Sequence, residues 1–172
     1  MSTTRLKALR KDLGFTILEI LIVVAGAAII LSMGVPVLNT VLEQYQVTLG
    51  AQSIVTQLQS ARMKAVASNE SFDVFFPDSQ RRYQIQNGGN VMAGPFYLPS
   101  RINWNSTDPG SAVSFPGRFV SFLPTGNVPS AGNGSSGRVK IISPSGIRID
   151  VVVNSGGIIR QTPPYRTPPA PF

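Results

Sequence analysis

The sequence predicts an α+β fold, a long N-terminal helix, membrane-type in its first half and amphipathic in its second, packed on an antiparallel β-sheet domain in a lollipop outline. Three observations predict it. A single apolar block runs from Phe15 to Leu38, and the stretch from Asn39 to Ser68 then holds one glycine and no proline. After Ser71 the chain breaks into short apolar runs separated by glycine, proline, asparagine and serine, the pattern of antiparallel strands.

Residues 1–14 are polar and basic, and the apolar block begins abruptly after them. A secretory signal has an apolar stretch of roughly 7–15 residues with a small-residue cleavage site beyond it. The block over residues 15–38 is longer, near the roughly 20 residues that cross a bilayer as a helix. It therefore reads as a retained single-pass anchor. The basic leader stays cytoplasmic and the C-terminal domain faces outward, which in a cell with two membranes means the inner membrane and the periplasm.

One acid, Glu19, stands within that block, and no lysine or arginine lies between Lys11 and Arg62. A carboxylate near hydrocarbon costs several kcal/mol unless paired. Cleavage after Gly14 would create a positive α-amine on Phe15, one helical turn from Glu19, and the amine of a neighbouring subunit would serve as well. Such pairing across subunits satisfies the charge and sets an axial register. The plainer alternative places Glu19 at headgroup level, snorkelling to water.

The run Gly14-Phe15-Thr16-Ile17-Leu18-Glu19 resembles the signal of type IV pilins and pseudopilins, with the glutamate at the fifth position counted from Phe15. The resemblance implies that a prepilin peptidase cuts between Gly14 and Phe15 and N-methylates Phe15. It implies Glu19 and Pro36 as assembly residues, and other pilin or pseudopilin subunits, the peptidase, the membrane and an inner-membrane assembly platform as partners. Pro36 removes a backbone donor, so a kink is expected there.

Residues 39–70 continue the helix. Leu42, Tyr45, Leu49, Ile54, Leu58, Ala61, Met63 and Ala65 recur at roughly helical spacing and are expected to form the stripe that packs on the sheet. A helix from Phe15 to Ser68 would reach roughly 80 Å. Ser68-Asn69 reads as its stop. The segment Gln59-Ser60-Ala61-Arg62-Met63-Lys64-Ala65, followed by Asn69, resembles the helix end of the GspH/FimT family of minor pseudopilins.

Residues 71–161 form the β domain. Expected strands are Phe72–Phe76, Tyr83–Gln86, Arg101–Trp104, Ala112–Phe115, Phe119–Leu123, Val139–Ile142, Ile147–Val153 and Ile158–Gln161. Asn87-Gly88, Ser145-Gly146 and Ser155-Gly156-Gly157 are hairpin signals between them. The runs Phe119–Asn127, Ile147–Val153 and Gly157–Arg160 resemble the last strands of a GspH domain. Residues 162–172 hold five prolines in eleven positions and exclude helix or central strand. They read either as an extended arm laid on a neighbour or as a disordered end.

Chemistry is constrained by what the sequence lacks. It has no cysteine and no histidine, so disulfides, thiolate metal sites and the commonest general base are all excluded. The acids Glu43, Glu70, Asp73, Asp78, Asp108 and Asp150 form no catalytic pattern, and Asp78 and Asp108 sit in turn contexts beside prolines. No cofactor is expected and the chain reads as a non-enzyme. Net charge is +7, of which +3 lies in the leader, and the remaining cations are scattered. Some FimT-like pilins capture DNA through C-terminal arginines in a Gly-Arg-x-Arg pattern. Here Gly157-Ile158-Ile159-Arg160 lacks the first arginine, leaving Arg148, Arg160 and Arg166 as candidate phosphate contacts or as ordinary surface charge. The resemblance implies a minor pseudopilin of a type II secretion filament that supports protein secretion, with a minor pilin of a type IV pilus as the alternative.

Overall fold

In the computed structural model, residues 15–77, 81–104 and 112–166 are described, with the side chains of residues 33–37 outside that set. Helix α1 spans Ile17–Ser68. The chain separates into two units, Met1–Asn39 and Thr40–Phe172.

Thr16 starts the helix. Its hydroxyl accepts the Glu19 N–H at 3.2 Å and its carbonyl accepts the Glu19 and Ile20 N–H groups, the N-terminal half of a capping box. Asn69 ends it. Its backbone is left-handed at φ 54°, which asparagine tolerates, and the Glu70 N–H returns to the Ala65 carbonyl at 3.3 Å, closing a Schellman turn. The predicted stop at Ser68-Asn69 is thus observed.

In the second unit, strands β1 (Phe72–Phe75), β2 (Arg82–Asn87), β3 (Asn90–Tyr97) and β4 (Phe119–Phe122) form one antiparallel sheet in the order β3-β2-β1-β4. Strands β5 (Gly137–Ile142), β6 (Ile147–Val153) and β7 (Ile159–Gln161) form a second antiparallel sheet in that order, and β8 (Tyr165–Arg166) also pairs with β6. The expected α+β architecture, a helix against antiparallel sheets, is what the chain forms. The turns at Asn87-Gly88, Ser145-Gly146 and Ser155-Gly156-Gly157 join β2 to β3, β5 to β6 and β6 to β7.

One core joins the layers. Alternation along the strands turns Phe72, Val74, Tyr83, Ile85, Val120, Phe122, Val139, Ile141, Ile149 and Val151 inward, where they meet the helix. Each large side chain buried this way contributes about 1.5–3 kcal/mol. Phe76 anchors an aromatic cluster, with ring centroids 5.8–5.9 Å from Tyr83, Trp104 and Phe115. The Tyr83 hydroxyl, buried enough to push its pKa up, is satisfied by the Ser53 hydroxyl at 2.7 Å. Two more polar ties fix the helix. Glu43 accepts the Ser145 N–H at 3.1 Å, and Arg62 Nε donates to the Gly126 carbonyl at 2.9 Å.

Four expectations are corrected. Of the expected helix stripe, Ile54, Leu58, Ala61 and Ala65 are buried, and Val47 and Ala51 complete the packed face, whereas Leu42, Tyr45, Leu49 and Met63 are exposed. The sheet-facing row uses small residues so that the helix can approach closely, as at Gly50, where an added Cβ would already touch Leu98 and Pro99. Arg101–Trp104 and Ala112–Phe115 form no strands. Each makes a single bridge to the edge of β5, Asn103 with Ile142 and Val113 with Val139, while Ile102, Trp104, Val113 and Phe115 still enter the core. Strand β3, absent from the prediction, is an edge strand carrying Gly94-Pro95 and shows no inward–outward alternation. The tail is neither arm nor loose end over Tyr165–Arg166, which lie on this chain's own β6; residues 167–172 lie outside the described set, as do Asp78 and Asp108.

Candidate functional site

In the first unit, Phe15 and Glu19 line one shallow cleft with Ile20, Val23 and Val24. The structure therefore brings the expected methylation residue beside the expected assembly acid. Phe15, Ile17 and Ile30 are 78%, 82% and 73% exposed, and the apolar side chains between them are open as well. Among the described residues the Glu19 carboxylate has no hydrogen-bond or ion-pair partner. Its backbone N–H does have one, the Thr16 hydroxyl, so Glu19 also occupies the acidic position of a Thr-x-x-Glu cap. That signal was legible in the sequence and was not read from it. Gly14 lies outside the described residues; Pro36 falls within α1, its side chain outside them.

Among the described residues no helix is long and apolar enough to cross a membrane. The apolar block expected to do so includes Met33–Val37, whose side chains are not among those described.

On the second sheet, register decides which arginines meet. Arg148 pairs with Tyr165 and Ile142, while Val152 pairs with Arg160 and Arg138, and Lys140 pairs with Asp150. Directly paired residues share a face, so Arg138, Lys140, Arg148 and Arg160 lie on the outer face. Arg166 pairs instead with Ile147, which is buried, and lines a pocket with Thr40, Gln44 and Ile147. Arg166 is thus separated from the two arginines with which it was grouped.

Asp150 sits in the middle of that outer face and is buried. Its carboxylate accepts the Tyr165 hydroxyl at 2.9 Å and stands 3.8 Å from Arg138 Nη1. Its backbone accepts the Thr162 N–H and donates to the Thr162 hydroxyl, both at 2.9 Å. Burial, and then the neighbouring carboxylate, push the Tyr165 pKa up, keeping the phenol a donor. Asp150 is therefore a clasp for the start of the tail. The visible clue was an acid inside the apolar run Ile147–Val153. Among the described residues no group of three or more His, Cys, Asp or Glu is placed to hold a metal ion.

An N-terminal helix with an open apolar first half, laid over antiparallel sheets in its second, defines the pilin-like class of proteins. The chain belongs to the family of Type II transport protein GspH, whose model matches residues 50–157. A comparison with curated protein sequences finds no match. Among solved structures, the type IV minor pilin FimU of Pseudomonas aeruginosa is similar at 14% identity and a TM-score of 0.50, covering 70% of this chain and 91% of that one. The minor pseudopilin EpsH from the Type 2 Secretion System of Vibrio cholerae aligns at 16% identity and a TM-score of 0.47, covering 68% of this chain and 96% of that one. The FimU likeness supports the fold.

Proposed function

We propose that the chain is a minor pseudopilin that assembles through its N-terminal helix into the periplasmic filament of a type II secretion system and supports protein secretion. Membership of the GspH family over residues 50–157 is the observation that carries this reading. The first unit supplies the means. A prepilin peptidase cuts between Gly14 and Phe15 and methylates Phe15, and residues 15–38 hold the product in the inner membrane with the domain in the periplasm. Glu19 then pairs with a neighbouring subunit's α-amine as the inner-membrane platform adds subunits. The chain acts by assembly and not by catalysis.

Deleting the chain and restoring it as wild type or Glu19→Ala tests this. Loss of exported protein on deletion, with surface pili unaffected and rescue by wild type alone, is the expected result. Normal secretion with loss of pili or of DNA uptake would replace this reading with the second one, a minor pilin of a type IV pilus. The outer face carrying Arg138, Lys140, Arg148 and Arg160 favours that alternative, since aligned cations contact phosphates. In that case Arg148→Ala with Arg160→Ala weakens DNA retention and Arg166→Ala does not.

A further inference from the structure

Arg166 opens onto a cleft of about 140 Å³ whose other walls are Thr40, Gln44, Ile147, Pro164 and Tyr165. Ile147 is buried, whereas Gln44 and Arg166 are exposed. The pairing of β8 with β6 holds Arg166 there, opposite Ile147. Among the described residues its guanidinium has no hydrogen-bond or ion-pair partner. The acids of this region are already committed. Glu43 accepts the Ser145 N–H at 3.1 Å, and Arg101 lies close enough to favour its charged form. Asp150 is on the outer face of β6, where it takes the Tyr165 hydroxyl and stands beside Arg138.

An unpaired guanidinium beside an amide donor calls for an acidic ligand, and its planar fork matches the oxygens of a phosphate. The place of the cleft along the chain selects the source. Thr40 follows Leu38, the last residue of the apolar block, by two positions, a reach of at most roughly 7 Å. The headgroup layer on each side of a bilayer's hydrocarbon is roughly 5–7 Å thick. With residues 15–38 in the membrane, chain connectivity alone keeps a cleft walled by Thr40 at headgroup depth. We propose that Arg166 and Gln44 bind the phosphate of a phospholipid headgroup in the membrane that holds residues 15–38. This rests on the anchor reading above and adds a polar attachment that ties β8 to the bilayer surface.

The test places the full chain, carrying isotope-labelled arginine, in vesicles of equal parts phosphatidylglycerol and phosphatidylcholine in phosphate-free buffer. Solid-state NMR reads the dephasing of guanidinium nitrogen by lipid phosphorus. The expected result is a dephased component that is lost in Arg166→Gln, while the signals of the other arginines stay as they were. Gln44→Ala, which keeps Arg166 and its label, is expected to reduce that component; an undiminished one would make Arg166 a lone surface charge and overturn the cleft. Equal dephasing in wild type and Arg166→Gln, or none in either, with the chain resisting carbonate extraction, overturns the phosphate contact and leaves the anchor standing. A chain that carbonate releases from the vesicles overturns the anchor and this inference with it. Dephasing as strong in micelles of a phosphorus-free detergent with added inorganic phosphate would make this a general phosphate site and overturn the lipid as its source.

Discussion

Replacing Gly157 by alanine probes how the helix end is locked to the two sheets. Gly157 has φ +70° and its turn runs against the loop after β4, where the Gly126 carbonyl accepts Arg62 Nε and the Val128 N–H meets the Ser155 carbonyl at 2.9 Å. A Cβ on residue 157 would overlap the Gly126 carbonyl oxygen. The left-handed backbone costs a non-glycine residue about 1–2 kcal/mol. Parting the two turns to relieve the overlap costs about 1–3 kcal/mol more. Gly146 is the control, with φ +81° and open space where its Cβ would go. Thermal unfolding of the fragment beginning at Thr40 should fall by on the order of 10 °C for Gly157→Ala and by a few degrees for Gly146→Ala. Equal losses would refute the close-approach reasoning, because only the backbone term would then be at work.

Leu58→Ala, at a fully buried position of the core, should lose about 2–5 kcal/mol in urea unfolding, and a loss near zero would place the helix face wrongly. The Glu43 carboxyl lies below its ordinary value of 4.5, held chiefly by the Ser145 hydroxyl, with the Ser145 N–H adding to it and burial opposing. A depressed folded pKa stabilises fully above the unfolded value and is lost as pH falls through the folded one. Stability should therefore drop below about pH 4.5, less steeply in Glu43→Gln; identical pH profiles would remove the tie to Ser145. Tyr165→Phe deletes the donor to Asp150, a charge-assisted bond of about 1.5–3 kcal/mol, so trypsin should cut after Arg166 roughly tenfold faster or more. An unchanged cutting rate would mean that Asp150 does not clasp the tail.

Much of this fold was legible because particular residues admit few conformations. Asn69 could end the helix in a left-handed turn, and Asn87-Gly88 and Ser145-Gly146 could close hairpins. Ile54, Leu58, Ala61 and Ala65 were read onto the packed face and are buried there, but its start was misread because Leu42, Tyr45 and Leu49 keep as good a period as Val47 and Ala51, and Ala51 carries little hydropathy signal. Strand β3 was hidden because an edge strand interrupted by Gly94-Pro95 need not alternate. Arg160 and Arg166 are an even number apart and would share a face in an unbroken strand. Pro163-Pro164 breaks the strand between them, and the pairing of Arg166 with Ile147 turns it to the other side. Glu19 stood out as the one charge in an apolar block, which demands a partner, whereas the part expected of Phe15 came from the resemblance of Gly14–Glu19 to the pilin signal.

Intact mass of the membrane-extracted protein, with and without a prepilin peptidase and for wild type against Gly14→Ala, tests the central claim most directly. Loss of residues 1–14 and gain of one methyl group on Phe15 are expected, both abolished without the peptidase and in Gly14→Ala. A full-length, unmethylated mass in every case would make residues 15–38 an ordinary anchor and contradict assembly through a processed helix.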